Sequence, residues 1–77
     1  GIAVVDDRVG QGWGKFMMQK LLSEAEVFDF DRVSLRVDNE NLAAINLYKG
    51  LGFAVVLESG QSSSLLMEKV LPKQAII

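Results

Sequence analysis

Between the apolar run Ile2-Ala3-Val4-Val5 and a long helix-forming segment stands Val9-Gly10-Gln11-Gly12-Trp13-Gly14-Lys15, with glycine at every second position from 10 to 14. No other stretch constrains the fold as tightly. A strand that feeds a glycine loop opening a helix lets backbone approach a ligand closely and leaves the first N–H groups of the helix free to point at it. That geometry holds anions. The same glycines also serve a sharp strand-to-helix turn without any ligand. Two familiar phosphate loops do not fit. The dinucleotide fingerprint needs glycine where Lys15 stands, and the Gly-Lys-Ser/Thr loop needs a hydroxyl where Phe16 stands and a glycine at Val9.

The rest of the chain alternates between strand and helix patterns. Ile2–Val5 is a continuous apolar run, as expected for a strand buried on both faces. Gly12 to about Val27 predicts a helix with Trp13, Met17, Leu21 and Ala25 on its apolar stripe. From Arg32 to Val37, Val33, Leu35 and Val37 alternate as in a strand. Asp38 or Asn39 is a candidate cap for a helix reaching about Lys49, which Gly50 and Gly52 end. Phe53–Leu57 reads as a strand, residues 59–63 as a serine-rich turn, and Leu65–Leu71 as a final strand before Pro72. The expected architecture is one α/β unit, βαβαββ, with a mixed sheet.

Composition narrows the chemistry. With no cysteine and no histidine, disulfides, thiolate metal sites and a histidine base are excluded, and no metal ligand set is expected. A net charge of −2 with scattered Lys and Arg argues against nucleic acid as a partner. No apolar run approaches a membrane span and no signal-peptide layout is present, so a cytoplasmic location is expected. A chain of 77 residues buries only roughly 60–65% of its unfolded surface, which is marginal for an independent domain.

A second block accompanies the glycine loop. Asn41-Leu42-Ala43-Ala44-Ile45-Asn46-Leu47-Tyr48-Lys49-Gly50-Leu51-Gly52-Phe53 resembles the Asn-x-x-Ala-x-x-x-Tyr-x-x-x-Gly-Phe pattern of the GCN5-related N-acetyltransferase superfamily. The loop after Ile2-x-Val4 is similar to that family's pyrophosphate loop, although Val9 stands where Arg or Gln is usual and Arg8 comes one residue early. The resemblance spans nearly the whole chain but only the C-terminal half of the family's domain. It therefore implies the acetyl-coenzyme A-binding half of an acyl-CoA N-acyltransferase fold. The chain begins with Gly1 inside an apparent strand and reads as a fragment lacking the N-terminal half.

What the resemblance implies can be stated residue by residue. Backbone N–H groups from Gly10, Gln11, Gly12, Trp13, Gly14 and Lys15 would hold the pyrophosphate of acetyl-CoA, with Arg8 and Lys15 adding charge-assisted contacts. Trp13, falling on the apolar stripe, has a core role as the plainer reading. Main chain at Ile2, Ala3 and Val4 would bond the pantetheine arm, and an N–H near the end of that strand would face the oxyanion. Tyr48, the only tyrosine, would protonate the departing thiolate. Taken by itself, it reads more readily as a core tyrosine near Ala44 and Leu51; its place seven residues after Asn41 reverses that preference. Asn41 would contact the coenzyme or cap its helix. Some members that acetylate peptide N-termini carry a glutamate five residues before that asparagine; here the position is Arg36, and Glu40 nearby reads as a solvated side chain. The general base is therefore not visible.

The acceptor would be a small-molecule or peptide amine. The rival expectation is a half-domain without catalysis that serves as an assembly module, since the first strand would present an unpaired edge. Either way, a homo-oligomer or pairing with the missing half is expected.

Overall fold

The alternation from Arg32 to Asp38 sorts this strand into two faces, and the sheet is built around it. The computed structural model describes residues 1–8, 13–58 and 63–72. Its elements run β1 (Ile2–Asp7), α1 (Lys15–Val27), β2 (Arg32–Asp38), α2 (Leu42–Gly50), β3 (Ala54–Glu58) and β4 (Ser64–Val70), the expected βαβαββ order. The strands lie in the order β1-β2-β4-β3. β1 and β2 are parallel, joined through α1, whereas β4 runs antiparallel to both β2 and β3. The mixed sheet is thus present, with β1 and β3 at its edges among the described residues.

Register places Ala3, Val5 and Asp7 beside Val33, Leu35 and Val37, and these beside Lys69, Met67 and Leu65. One hydrophobic cluster joins this face to Met18, Leu22 and Ala25 of α1 and to Ile45 and Tyr48 of α2. Both helices therefore pack on the same side. The opposite side carries Ile2, Val4 and Val70, all more than half exposed, among Asp6, Arg32, Ser34, Arg36 and Glu68.

Four expectations need correction. β1 is not buried on both faces: Val4 is 75% exposed, because no described element covers that side, and the strand continues past Val5 to Asp7. In α1 the inward residues are Met18, Leu22 and Ala25, while Met17 is half exposed. The helix begins at Lys15 rather than Gly12. Asn41, not Asp38 or Asn39, caps α2, its side chain accepting from the Ala44 N–H at 3.2 Å. Asp38 instead accepts from the Glu40 N–H at 2.9 Å and turns the chain towards that cap. Residues 59–62 of the expected serine-rich turn lie outside the described residues, and the carbonyl of its last residue, Ser63, accepts from the Asn39 N–H at 2.8 Å. No helix among them is long and apolar enough to cross a membrane.

Candidate active site

Tyr48 sits in the last turn of α2, fully buried, and that turn is fixed by its own chemistry. Beyond the C-cap Leu51, the Gly52 N–H donates to the Lys49 carbonyl at 3.0 Å and the Phe53 N–H to the Tyr48 carbonyl at 2.9 Å. This pair of bonds is a Schellman motif, and it needs a left-handed residue just past the cap. Gly52 supplies it with φ 99°. The motif's apolar contact is the Phe53 ring meeting the Tyr48 ring edge-on, centroids 5.8 Å apart. The phenol is held at both its backbone and its ring.

Its hydroxyl then has one direction left. It donates to Oδ2 of Asp7, at the C-terminal end of β1. Asp7 is 4% exposed, and its other oxygen, Oδ1, is buried with no hydrogen-bond partner among the described residues. Burial pushes the Tyr48 hydroxyl well above the ordinary phenol value, and the hydrogen bond to Asp7 and its charge push it further the same way. The fold thus brings Tyr48 against a carboxylate two residues before the glycine loop departs.

The loop itself, Val9 to Gly12, lies outside the described residues, so the expectations at Gly10, Gln11 and Gly12 have no geometry here. Its far side is described. Gly14 is the N-cap of α1 in extended conformation, with no side-chain cap, and α1 has no acidic residue in its first turn. A Cβ built on Gly14 would meet nothing within 4 Å. Neither its backbone angles nor its neighbours within the fold demand glycine there. Lys15 opens the helix and is exposed, where the helix dipole disfavours a cation and favours an anion.

Arg8 is engaged with Asp6 at 2.7 Å, an exposed pair in which the arginine's hydrogen bonds draw the Asp6 carboxyl down to about 2. Trp13 is partly buried against the core. It also borders an open groove of about 380 Å³ along α1 that is lined by Phe16, Met17, Lys20, Leu21 and Glu24 and includes neither Asp7 nor Tyr48.

Among the remaining expected residues, Ile2, Ala3 and Val4 lie on edge strand β1, with Ala3 turned to the core and the other two away from it. Asn41 caps α2. Arg36 belongs to the face opposite Tyr48, its guanidinium 3.4 Å from the Ser64 hydroxyl. Glu40 is exposed before α2 begins. Asp7 was not anticipated. The signal for it was period two: Ala3, Val5 and Asp7 continue a single inward face, while its neighbour Asp6 falls on the outward one.

Comparison with known proteins adds three findings. The model of the acetyltransferase (GNAT) family matches residues 1–53, a stretch that contains both the glycine loop and the Asn41–Phe53 block. No curated protein matches. The crystal structure of an acetyltransferase of the GNAT family from Streptococcus pneumoniae superposes with a TM-score of 0.65 at 22% identity, over 83% of this chain and 43% of that one. The chain spans less than half the length of that structure and shares its fold.

Proposed function

Because the chain belongs to the GNAT acetyltransferase family, we propose that it is the acetyl-CoA-binding part of an N-acetyltransferase that moves an acetyl group from acetyl-CoA to an amine. The observation that carries the reading is the convergence of the two sequence blocks: the tyrosine of one meets the strand end from which the loop of the other departs. The donor set suits the coenzyme. An uncapped helix start, no acidic first turn, Lys15, and a Gly14 that the fold itself does not require together fit a pyrophosphate.

In this mechanism a neutral amine attacks the thioester carbonyl while a backbone N–H of β1 faces the developing oxyanion. One such donor is typically worth about 3–4 kcal/mol in the transition state. Tyr48 serves as the acid for the leaving sulfur. Ordinary values of ~10 for a phenol and ~8.5 for a thiol already make that transfer uphill by roughly 2 kcal/mol. Lys15 and the loop amides from Gly10 to Gly14 orient the donor.

Calorimetry with coenzyme A tests the binding half of this reading. The parent protein should bind, and Gly12→Val should abolish binding by putting a side chain between backbone and pyrophosphate. Unchanged affinity in Gly12→Val removes the loop from the site. Tyr48→Phe tests the catalytic half: coenzyme binding should persist while turnover falls about 10²–10⁴-fold, the usual worth of a positioned proton donor. Full turnover in that variant leaves Tyr48 a packing residue.

A further inference from the structure

The Tyr48 hydroxyl gives its hydrogen bond to a carboxylate, which complicates its use as an acid. If it passed its proton to a thiolate while Asp7 stayed charged, a phenolate and a carboxylate would share a buried contact. Two anions so placed cannot both stand without a compensating cation. Among the described residues none supplies one: Arg8, next in the chain, is bonded to Asp6. β2 presents Val33, Leu35 and Val37, and α1 presents Met18, Leu22 and Ala25. On β4 the same face carries Lys69, whose ammonium donates to the Leu51 carbonyl at 2.7 Å; on α2 itself Lys49 is exposed. Asp7 must therefore hold a proton at the moment Tyr48 loses one. It has the atom to receive it, because Oδ1 is buried without a donor among the described residues.

Resting on the acetyl-transfer reading above, we propose that Asp7 and Tyr48 form one proton-handling unit, in which Asp7 is the base that takes the amine's proton and Tyr48 the acid that protonates the leaving sulfur. The balance closes without another reactant. The amine nitrogen forms a bond to the acyl carbon, and its surplus proton goes to Asp7 Oδ1. The carbon–sulfur bond breaks with its electron pair on sulfur, which takes the Tyr48 proton. The Asp7 carboxyl then turns to bring that proton to the side facing the phenolate oxygen, which takes it back. One proton has moved from nitrogen to sulfur, and both side chains are restored. This places the general base at Asp7, at the end of β1, rather than at Glu40 or at the position that Arg36 occupies.

The single tyrosine of the chain makes the pair directly observable. Tyrosinate absorbance followed against pH should show Tyr48 titrating above the ordinary phenol value in the parent and lower in Asp7→Asn, which keeps the side chain's shape and removes its charge. An ordinary phenol titration in the parent overturns the pairing without any variant. In steady-state acetyl transfer, Asp7→Asn and Tyr48→Phe should each lose about 10²–10⁴-fold in turnover. The double variant should be no more than a few-fold below the worse single, because groups acting as a unit are not additive. Circular dichroism and coenzyme A calorimetry should match the parent in each variant. Parent turnover and an unmoved pH profile in Asp7→Asn, or losses that multiply in the double variant, overturn the relay while acetyl transfer stands. A parent that neither binds coenzyme A nor transfers acetyl removes the acetyl-transfer reading, and the relay with it.

Discussion

Two residues just past the helices hold the left-handed backbone that ends them, and they are not equally suited to it. Gly52 does so with φ 99°, and Asp29 with φ 60° closes α1 by the same pair of bonds, its N–H to the Glu26 carbonyl and the Phe30 N–H to the Ala25 carbonyl. Opposite substitutions should therefore have opposite signs. Gly52→Ala forces a side chain into the disfavoured region, and its Cβ would meet the Lys69 ammonium at 2.8 Å, so a loss of about 1–2 kcal/mol is expected. Asp29→Gly relieves the αL strain and should gain up to about 1 kcal/mol, offset in part by glycine's freedom in the unfolded chain. Urea denaturation of both variants checks the pair of signs. Gly52 was legible in the sequence as a helix stop, and Asp29 was not, because aspartate reads as an ordinary polar residue until its φ is known. Tyr48 and Asp7 divide in the same way. The tyrosine stands in a recognisable block, whereas its partner lies far away in sequence and is visible only once β1 is allowed to run two residues beyond its apolar core.

At the scale of the element, α1 shows how packing on the sheet selects one face of a helix. Its sequence contains two competing apolar rows, Trp13-Met17-Leu21 and Met18-Leu22-Ala25, and periodicity alone does not choose between them. The choice is made by the sheet: the second row is buried in the cluster around Val33 and Leu35, while of the first Trp13 and Leu21 pack only at its margin and Met17 is exposed with Phe16. The order and type of all six elements were legible from hydrophobic period and turn residues. Which side of each faced inward was not, wherever a second sheet face or helix row was also apolar. The start of α1 yields a prediction that separates stability from function. Gly14 has extended angles and open space beside it, so Gly14→Asp installs a helix cap and an acidic first turn. Stability should rise by roughly 0.5–1 kcal/mol, about 2–8 °C in a domain of this size. Coenzyme A affinity should fall at least tenfold, because the new carboxylate faces the phosphates. A melting curve and a calorimetric titration on the same sample read both; a gain in stability with undiminished affinity would show that this helix end does not meet the anion.

For the molecule as a whole, the described residues cover the sheet on one side and leave it bare on the other. Ile2, Val4 and Val70 expose apolar surface there, and β1 offers its free edge beside them. An unpaired edge next to an uncovered face favours association, so the chain in isolation should scatter light as a dimer or larger species at micromolar concentration. Ile2→Lys with Val4→Lys should shift it towards monomer, while a cooperative monomer in the parent would show that the bare face needs no cover. That bareness explains why the sequence misled about β1: its apolar run is written for two covers, and only one is described. The strand order has another consequence, one of timing. β4 comes after β3 in the chain yet sits between β2 and β3, with Arg32 beside Val70. Neither β2 nor β3 can complete its ladder until residues through Val70 have emerged from the ribosome, since the strand that zips them together is made after both. Until then β3 has no ladder partner, and its Val55 and Val56, exposed even in the finished fold, stand on an unpaired strand. The interval is brief at ordinary elongation rates, but it is unavoidable for this topology, and it makes nascent chains stalled before Ser64 the natural clients of a chaperone.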